Sequence, residues 1–175
     1  MPSGSTHDIV TCALVPPSFV AAQWYWGDLR LSVLATAAMA FAGLMFGPDL
    51  DLHSAQYRRW GPVRFIWYPY MVALRHRSRL SHGLLFSTIF RLAYFLVVII
   101  LLSTTTLYVR QRYLYGSPAS FWTEFQQVAD DLTGFWRQTE KQYFRAGFIG
   151  LWAGAAAHTI LDVTGSIIRL VWKAF

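Results

Sequence analysis

The chain has 175 residues, 55% of them hydrophobic and only 14% charged, with a net charge of +6. A mean hydropathy of +0.34 sets it above the usual range of soluble domains, and it reads as one integral membrane domain, residues 1–175. The single cysteine, Cys12, excludes an internal disulfide and any cysteine-rich zinc module. The excess positive charge would suggest nucleic acid in a soluble protein. Here it lies beside apolar segments, which excludes nucleic acid as a partner and points to a cytoplasmic membrane face and its lipids.

The first seven residues, MPSGSTH, carry no Lys or Arg, and no short apolar core with a cleavage site follows, so the N-terminus is expected to stay where it is made. Ile9 to Trp26 is apolar but interrupted by Pro16-Pro17, and predicts a bent or short first helix capped by Thr6 or Asp8. Trp24, Tyr25 and Trp26 form an interfacial aromatic cluster, and Gly27-Asp28 supplies a turn. Leu31 to Phe46 has no charge and many small side chains, suiting a closely packed membrane helix. Because it is short for a full span, the first two segments pair as a shallow hairpin.

Residues 47–83 form a central loop, in which Gly47, Pro48, Gly61, Pro62 and Pro69 predict turns and helical fragments rather than one helix. Leu84 to Val109 carries the strongest membrane signal, with Arg91 near enough to its start to snorkel. Within Arg110 to Gln142, large apolar residues such as Trp122, Phe125, Leu132 and Trp136 recur at helical spacing among Glu124, Asp130 and Asp131. That pattern predicts an amphipathic helix. Tyr143 to Phe175 is the last helical region, opening on the small-residue run GFIGLWAGAAAH. The predicted fold is an all-α, polytopic membrane bundle of about four apolar helical segments, with one amphipathic helix and a metal-binding central loop.

Residues 53–82 hold Arg58, Arg59, Arg64, Arg75, Arg77 and Arg79 and no acidic residue, so the positive-inside tendency places the loop in the cytoplasm. A hairpin before it returns the N-terminus to that side, beside Asp49 and Asp51. The last helix then brings His158 and Asp162 back toward the same face. Arg110, Arg112, Arg137, Lys141 and Arg145 fall on the far side, in a longer segment partly balanced by acids.

Every histidine has an aspartate or another histidine within six residues: His7-Asp8, Asp49-x-Asp51-x-His53, His76-x5-His82 and His158-x3-Asp162. Imidazole and carboxylate suit a divalent metal, Zn first and Mn or Fe next, and no thiolate favours a softer ion. His158 and Asp162, at i and i+4, share a helix face, where both can ligate or Asp162 can orient His158. In a soluble helix such a pair is more often a hydrogen-bonded structural contact. In an apolar helix paired ionisable groups are costly and default to function. Asp49 and Asp51 can converge on a metal, or one can simply cap the next turn. His76 and His82 do not share a helix face, His53 is the weakest candidate ligand, and His7 taken alone reads as a solvated chain end. The coincidence of all these groups in one short chain decides for a metal held by His7, Asp49, Asp51, His76, His82, His158 and Asp162. Arg58 and Arg59 serve orientation; Arg75 and Arg77 divide between that role and binding an anionic substrate.

Thr6-His7-Asp8, Pro48-Asp49-Leu50-Asp51, Arg59-Trp60-Gly61-Pro62, His76-Arg77-Ser78, Ser81-His82-Gly83 and His158-x3-Asp162 together resemble the motifs of uncharacterised metal-binding proteins grouped as DUF2227. They are also similar to the YdjM/YbcI-like inner-membrane proteins (DUF457), described as predicted metal-dependent hydrolases. The resemblance covers nearly the whole chain and implies a multi-pass protein of an inner (plasma or thylakoid) membrane. It also implies a distant likeness to zinc-dependent phospholipase C, an all-helical fold, with His158 and Asp162 matching its H-x3-D. The chain lacks that enzyme's N-terminal Trp ligand and its H-x3-E.

The expected function is metal-dependent hydrolysis of an ester or phosphoester, including that of a phospholipid, at the cytoplasmic membrane face. Asp8 or Asp51 is the general base where not ligated, and Arg75 and Arg77 hold an anionic head group. A structural or assembly protein stabilised by its metal is the alternative, and would open no substrate-sized pocket beside the ion. A metal sensor or carrier comes third, and needs an open route to the site.

Overall fold

The computed structural model describes residues 3–74, 78, 82–84, 86–115 and 119–174, without the side chains of 115, 119, 120, 173 and 174. Among the described residues all regular structure is helical, as the hydropathy pattern predicts. Three segments are long and apolar enough to cross a membrane: Leu29–Asp51, Phe86–Leu114 and Lys141–Trp172, with mean hydropathies of 1.7, 2.2 and 1.3. The chain forms two compact units, Met1–Arg91 with Gln142–Phe175, and Leu92–Lys141.

The first unit begins with α1, Gly4–Trp26. Ser3 caps it by accepting the Thr6 N–H at 3.2 Å. Gly27 ends it at φ 64°, a left-handed conformation natural to glycine, donating its N–H to the Gln23 carbonyl at 2.9 Å. The first helix is not short: it runs on through Pro16-Pro17. The two prolines remove the helical donors to the Cys12 and Ala13 carbonyls, but α1 packs along its neighbour α2. Tertiary contact outweighs the breaker signal.

Helix α2, Leu29–Leu44, starts at Asp28, whose carboxylate accepts the N–H groups of Arg30 and Leu31 at 2.7 and 3.0 Å. The central loop then folds as the fragments its prolines and glycines predict. A 3-10 turn covers Pro48–Asp51, α3 covers Ala55–Arg59, a second 3-10 turn Gly61–Trp67, and α4 Tyr68–Ala73. Phe46, Trp67 and Tyr70 bury these fragments in an aromatic cluster, with Trp67 5.5 Å from Phe46 and 5.7 Å from Tyr70 between ring centroids.

Helix α5 spans Phe86–Arg110 and α7 spans Lys141–Ala174. Arg91, expected to snorkel, is instead completely buried, its guanidinium 5.5 Å from the Phe46 ring centroid. It lies close enough to Asp51 and Asp49 to interact with both, so inward electrostatics replaces the outward reach to headgroups. Glycine lets α7 approach α2 closely. A Cβ at Gly150 would stand 2.1 Å from the Ala35 carbonyl oxygen, and one at Gly154 2.2 Å from that of Met39.

The second unit holds the remainder of α5, a π-turn at Gln111–Tyr115, and α6, Ala119–Gln138. Leu96, Val97, Ile99, Ile100 and Leu101 are exposed along α5, as lipid-facing side chains are. Helix α6 has the amphipathic pattern read from its sequence, with exposed Trp122, Leu132, Phe135 and Trp136. Glu124 pairs with Arg110, and Phe121 meets Tyr108 edge-on at 5.8 Å.

Candidate metal centre

The first turn of α1 carries His7 and Asp8. The Pro48–Asp51 turn carries Asp49 and Asp51, and α7 carries His158 and Asp162 about two and three turns beyond Gly150. Gly154 and Gly43 permit this convergence: a Cβ at Gly43 would strike the Thr11 side chain at 2.4 Å. The small residues of α2 and α7 are therefore what bring polar side chains of three elements within reach of one another.

His7 Nε2 stands 3.2 Å from Asp162 Oδ1, and His158 Nε2 is 3.7 Å from Asp162 Oδ2 and 3.3 Å from Asp49 Oδ2. His82 joins from the other side, with Nε2 3.5 Å from Asp49 Oδ1 and Nδ1 3.6 Å from Asp51 Oδ2. The rings of His7 and His158 stack at 3.8 Å with 15° between planes. His7, His158, Asp162 and Asp51 are all buried. Burial, and then the neighbouring His158, hold the His7 imidazole below its ordinary pKa, favouring the neutral form that a metal requires.

These donors fit a metal ion on geometry as well as chemistry. Neighbouring ligands of a tetrahedral ion bound at about 2.0–2.1 Å stand about 3.3 Å apart, which is the scale of the contacts just described. His158 Nε2, and both carboxylate oxygens of Asp162, make no hydrogen bond despite full burial. Buried carboxylate and imidazole groups left so are costly unless an ion satisfies them. Among the described residues, two sets each bring one ligand atom per residue within 4.8 Å of one another: His7, His158 and Asp162, and Asp49, His82 and Asp162.

The model of a protein family described as uncharacterized metal-binding protein (DUF2227) matches residues 2–172. The chain belongs to this DUF2227 family. No curated protein and no solved structure matches it. The metal-binding character of DUF2227 and the buried histidine–aspartate sets agree.

Of the residues singled out in the sequence, His7, Asp49, Asp51, His82, His158 and Asp162 come together. His76, Arg75 and Arg77 lie outside the described residues. Asp8 stands beside the cluster in a two-pronged ion pair with Arg59, whose Nη1 donates to Asp8 Oδ1 at 2.9 Å and whose Nη2 donates to Oδ2. Arg59 also donates to the Leu44 carbonyl at 2.7 Å, and the pairing with Asp8 raises its own pKa further. Arg59 thus fastens α3 to both helices of the hairpin, beyond the orientation signal it carries as a charge. His53 is exposed and packs edge-on to Tyr57 at 5.0 Å, outside both candidate sets.

Two residues have parts at the site that the sequence did not signal. Gln56, buried on α3, donates from Nε2 to the Gly43 carbonyl at 2.9 Å and stands 3.3 Å from His158 Nδ1, where the ring tautomer decides which atom donates. It braces the imidazole whose Nε2 faces the two carboxylates. Arg91 is the second. Neither carries a local signal: Gln56 is 102 residues from His158 in sequence, and a lone Arg at the start of an apolar helix has a commonplace role.

Proposed function

We propose that the protein is a metal-dependent hydrolase acting on a small anionic ester, a phosphoester first, at the cytoplasmic face of an inner membrane. The supporting observation is a cavity of about 230 Å³ against the candidate ligands His7, Asp49 and His158, with Arg58 and His53 at its exposed rim. A purely structural metal needs no such space. The volume suits a phosphate-sized group and a few further atoms, since drug-sized ligands need about 300–1,000 Å³. The likeness of the chain's motifs to the DUF457 predicted hydrolases supports the same reading.

A divalent ion, Zn foremost, supplies Lewis acidity and a water of lowered pKa. Asp8 is the candidate base that lines the cavity. Arg59 fixes its orientation while leaving lone pairs free to accept a proton. Asp51 lies behind His82 and orients that ring. Arg58, in the cavity wall, binds the anionic group of the substrate.

The larger space in this unit, a groove of about 460 Å³ among Ala22, Tyr25, Met39 and Ala153, is apolar. The tight contacts of Gly43 with Thr11 and of Gly154 with Met39 lie between it and the metal cavity. A lipid tail reaching that groove from the site would have to part them, so a water-soluble ester is favoured over a phospholipid. Membrane lipids surround the apolar helices.

Purified protein should hydrolyse small phosphoesters in a metal-dependent way. Arg58→Ala should raise KM with little change in metal content, and His158→Ala should abolish turnover. Turnover that survives both His158→Ala and chelation would overturn the reading.

A further inference from the structure

We propose that the site holds two divalent ions, bridged by the carboxylates of Asp49 and Asp162. This deepens the metal-centre reading and is independent of whether the protein is an enzyme.

The donors form an alternating chain, and its aspartates face two ways. Asp162 presents Oδ1 to His7 at 3.2 Å and Oδ2 to His158 at 3.7 Å. Asp49 presents Oδ2 to His158 at 3.3 Å and Oδ1 to His82 at 3.5 Å. A carboxylate that divides its oxygens between separate imidazoles is disposed to bridge. The two candidate sets have Asp162 in common but no histidine, so each ion has its own imidazoles. One four-coordinate ion uses only four donors. Ions sharing carboxylates stand about 3.5–4 Å apart in two-metal sites.

Charge argues in the same direction. Asp49, Asp51 and Asp162 bring three negative charges, and the buried Arg91 brings one positive charge within their field. One divalent ion would make this set neutral and leave no attraction for an anion in the adjoining cavity. A second ion leaves it net positive, matching a cavity with Arg58 in its wall. The unbonded oxygens of Asp162, together with His158 Nε2, independently call for cations on both sides of the carboxylate.

The test is metal stoichiometry on detergent-purified protein. Saturation with Zn²⁺ followed by elemental analysis should give about two equivalents, and Mn²⁺-loaded protein should show an exchange-coupled pair by electron paramagnetic resonance. His82→Ala should fall to about one equivalent and lose the coupling. Wild-type protein that saturates at one equivalent, with an uncoupled Mn²⁺ signal, overturns the proposal without any variant needing to fold. Stoichiometry unchanged in a folded His82→Ala protein also overturns it. Two coupled ions with no phosphoester turnover would leave this inference standing and remove the hydrolase reading. One ion with turnover would do the reverse.

Discussion

Gly154→Ala tests whether helix approach, rather than the ligands alone, builds the metal site. The added Cβ would lie 2.2 Å from the Met39 carbonyl oxygen, 2.9 Å from Ala42 Cβ and 3.0 Å from the Gly43 nitrogen. Two of those neighbours are backbone atoms, so no side chain can turn aside, and α7 must retreat from α2 by about 1 Å. Overpacking of this kind costs about 1–3 kcal/mol. His158 lies one turn further along α7, about 6 Å by helical rise, so the displacement reaches it almost undiminished. The 3.2 Å contact of Asp162 to His7 and the 3.3 Å contact of His158 to Asp49 would then open by about 1 Å, beyond the roughly 3.3 Å separation suited to a shared tetrahedral ion. Gly147→Ala is the control on the same helix: its Cβ would meet nothing within 4 Å. Replacing that glycine should be neutral or stabilise by about 0.5–1 kcal/mol. Thermal unfolding in detergent, with and without chelator, and metal content after dialysis are the measurements. Gly154→Ala should lose metal and melt earlier while Gly147→Ala does neither. Equal metal retention and equal melting in the two variants would refute the packing argument.

Gln56→Leu should weaken metal binding about 10–100-fold, read by competition with a chromophoric chelator, because it frees the His158 ring and the Gly43 carbonyl. Chelation of the wild type should lower its melting temperature, since it leaves the Asp49, Asp51 and Asp162 carboxylates gathered without a counter-ion; an unchanged melting curve would show that the ion is not part of the fold's stability. Arg91→Leu should destabilise the chelated protein by about 3–5 kcal/mol and the metal-loaded protein by less, read as the difference between two melting shifts. Arg59→Ala should cut turnover without reducing metal content, because Arg59 fixes Asp8 and touches none of the candidate ligands.

What the sequence made legible is what depends on short spacing. His158-x3-Asp162 shares a face by helical periodicity alone, and Pro48-Asp49-Leu50-Asp51 announces a turn carrying two carboxylates. Membrane-length hydropathy located α2, α5 and α7, and the helical recurrence of Trp122, Phe125, Leu132 and Trp136 located α6. Long-range packing defeated the local rules elsewhere. Pro16-Pro17 breaks a helix in isolation but not one laid along α2. Arg91 obeys the snorkelling rule only if the headgroup layer is its best partner, whereas here Phe46 and the loop carboxylates are nearer.

The burial of Arg91 also bears on how the protein tolerates its own centre. Three carboxylates gathered near the ends of apolar helices repel one another strongly when no cation is present. Arg91 is completely buried within reach of Asp51 and Asp49, where it offsets part of that repulsion before any metal arrives. It cannot substitute for the metal either, because one positive charge leaves two of the three carboxylates uncompensated. A cluster arranged in this way should gain stability when cations bind. Arg91 and the metal should therefore be thermodynamically coupled: the cost of removing one is larger in the absence of the other. A double-perturbation cycle of Arg91→Leu against chelation, read by melting, measures that coupling directly. Additive effects would mean that Arg91 serves only the packing around Phe46.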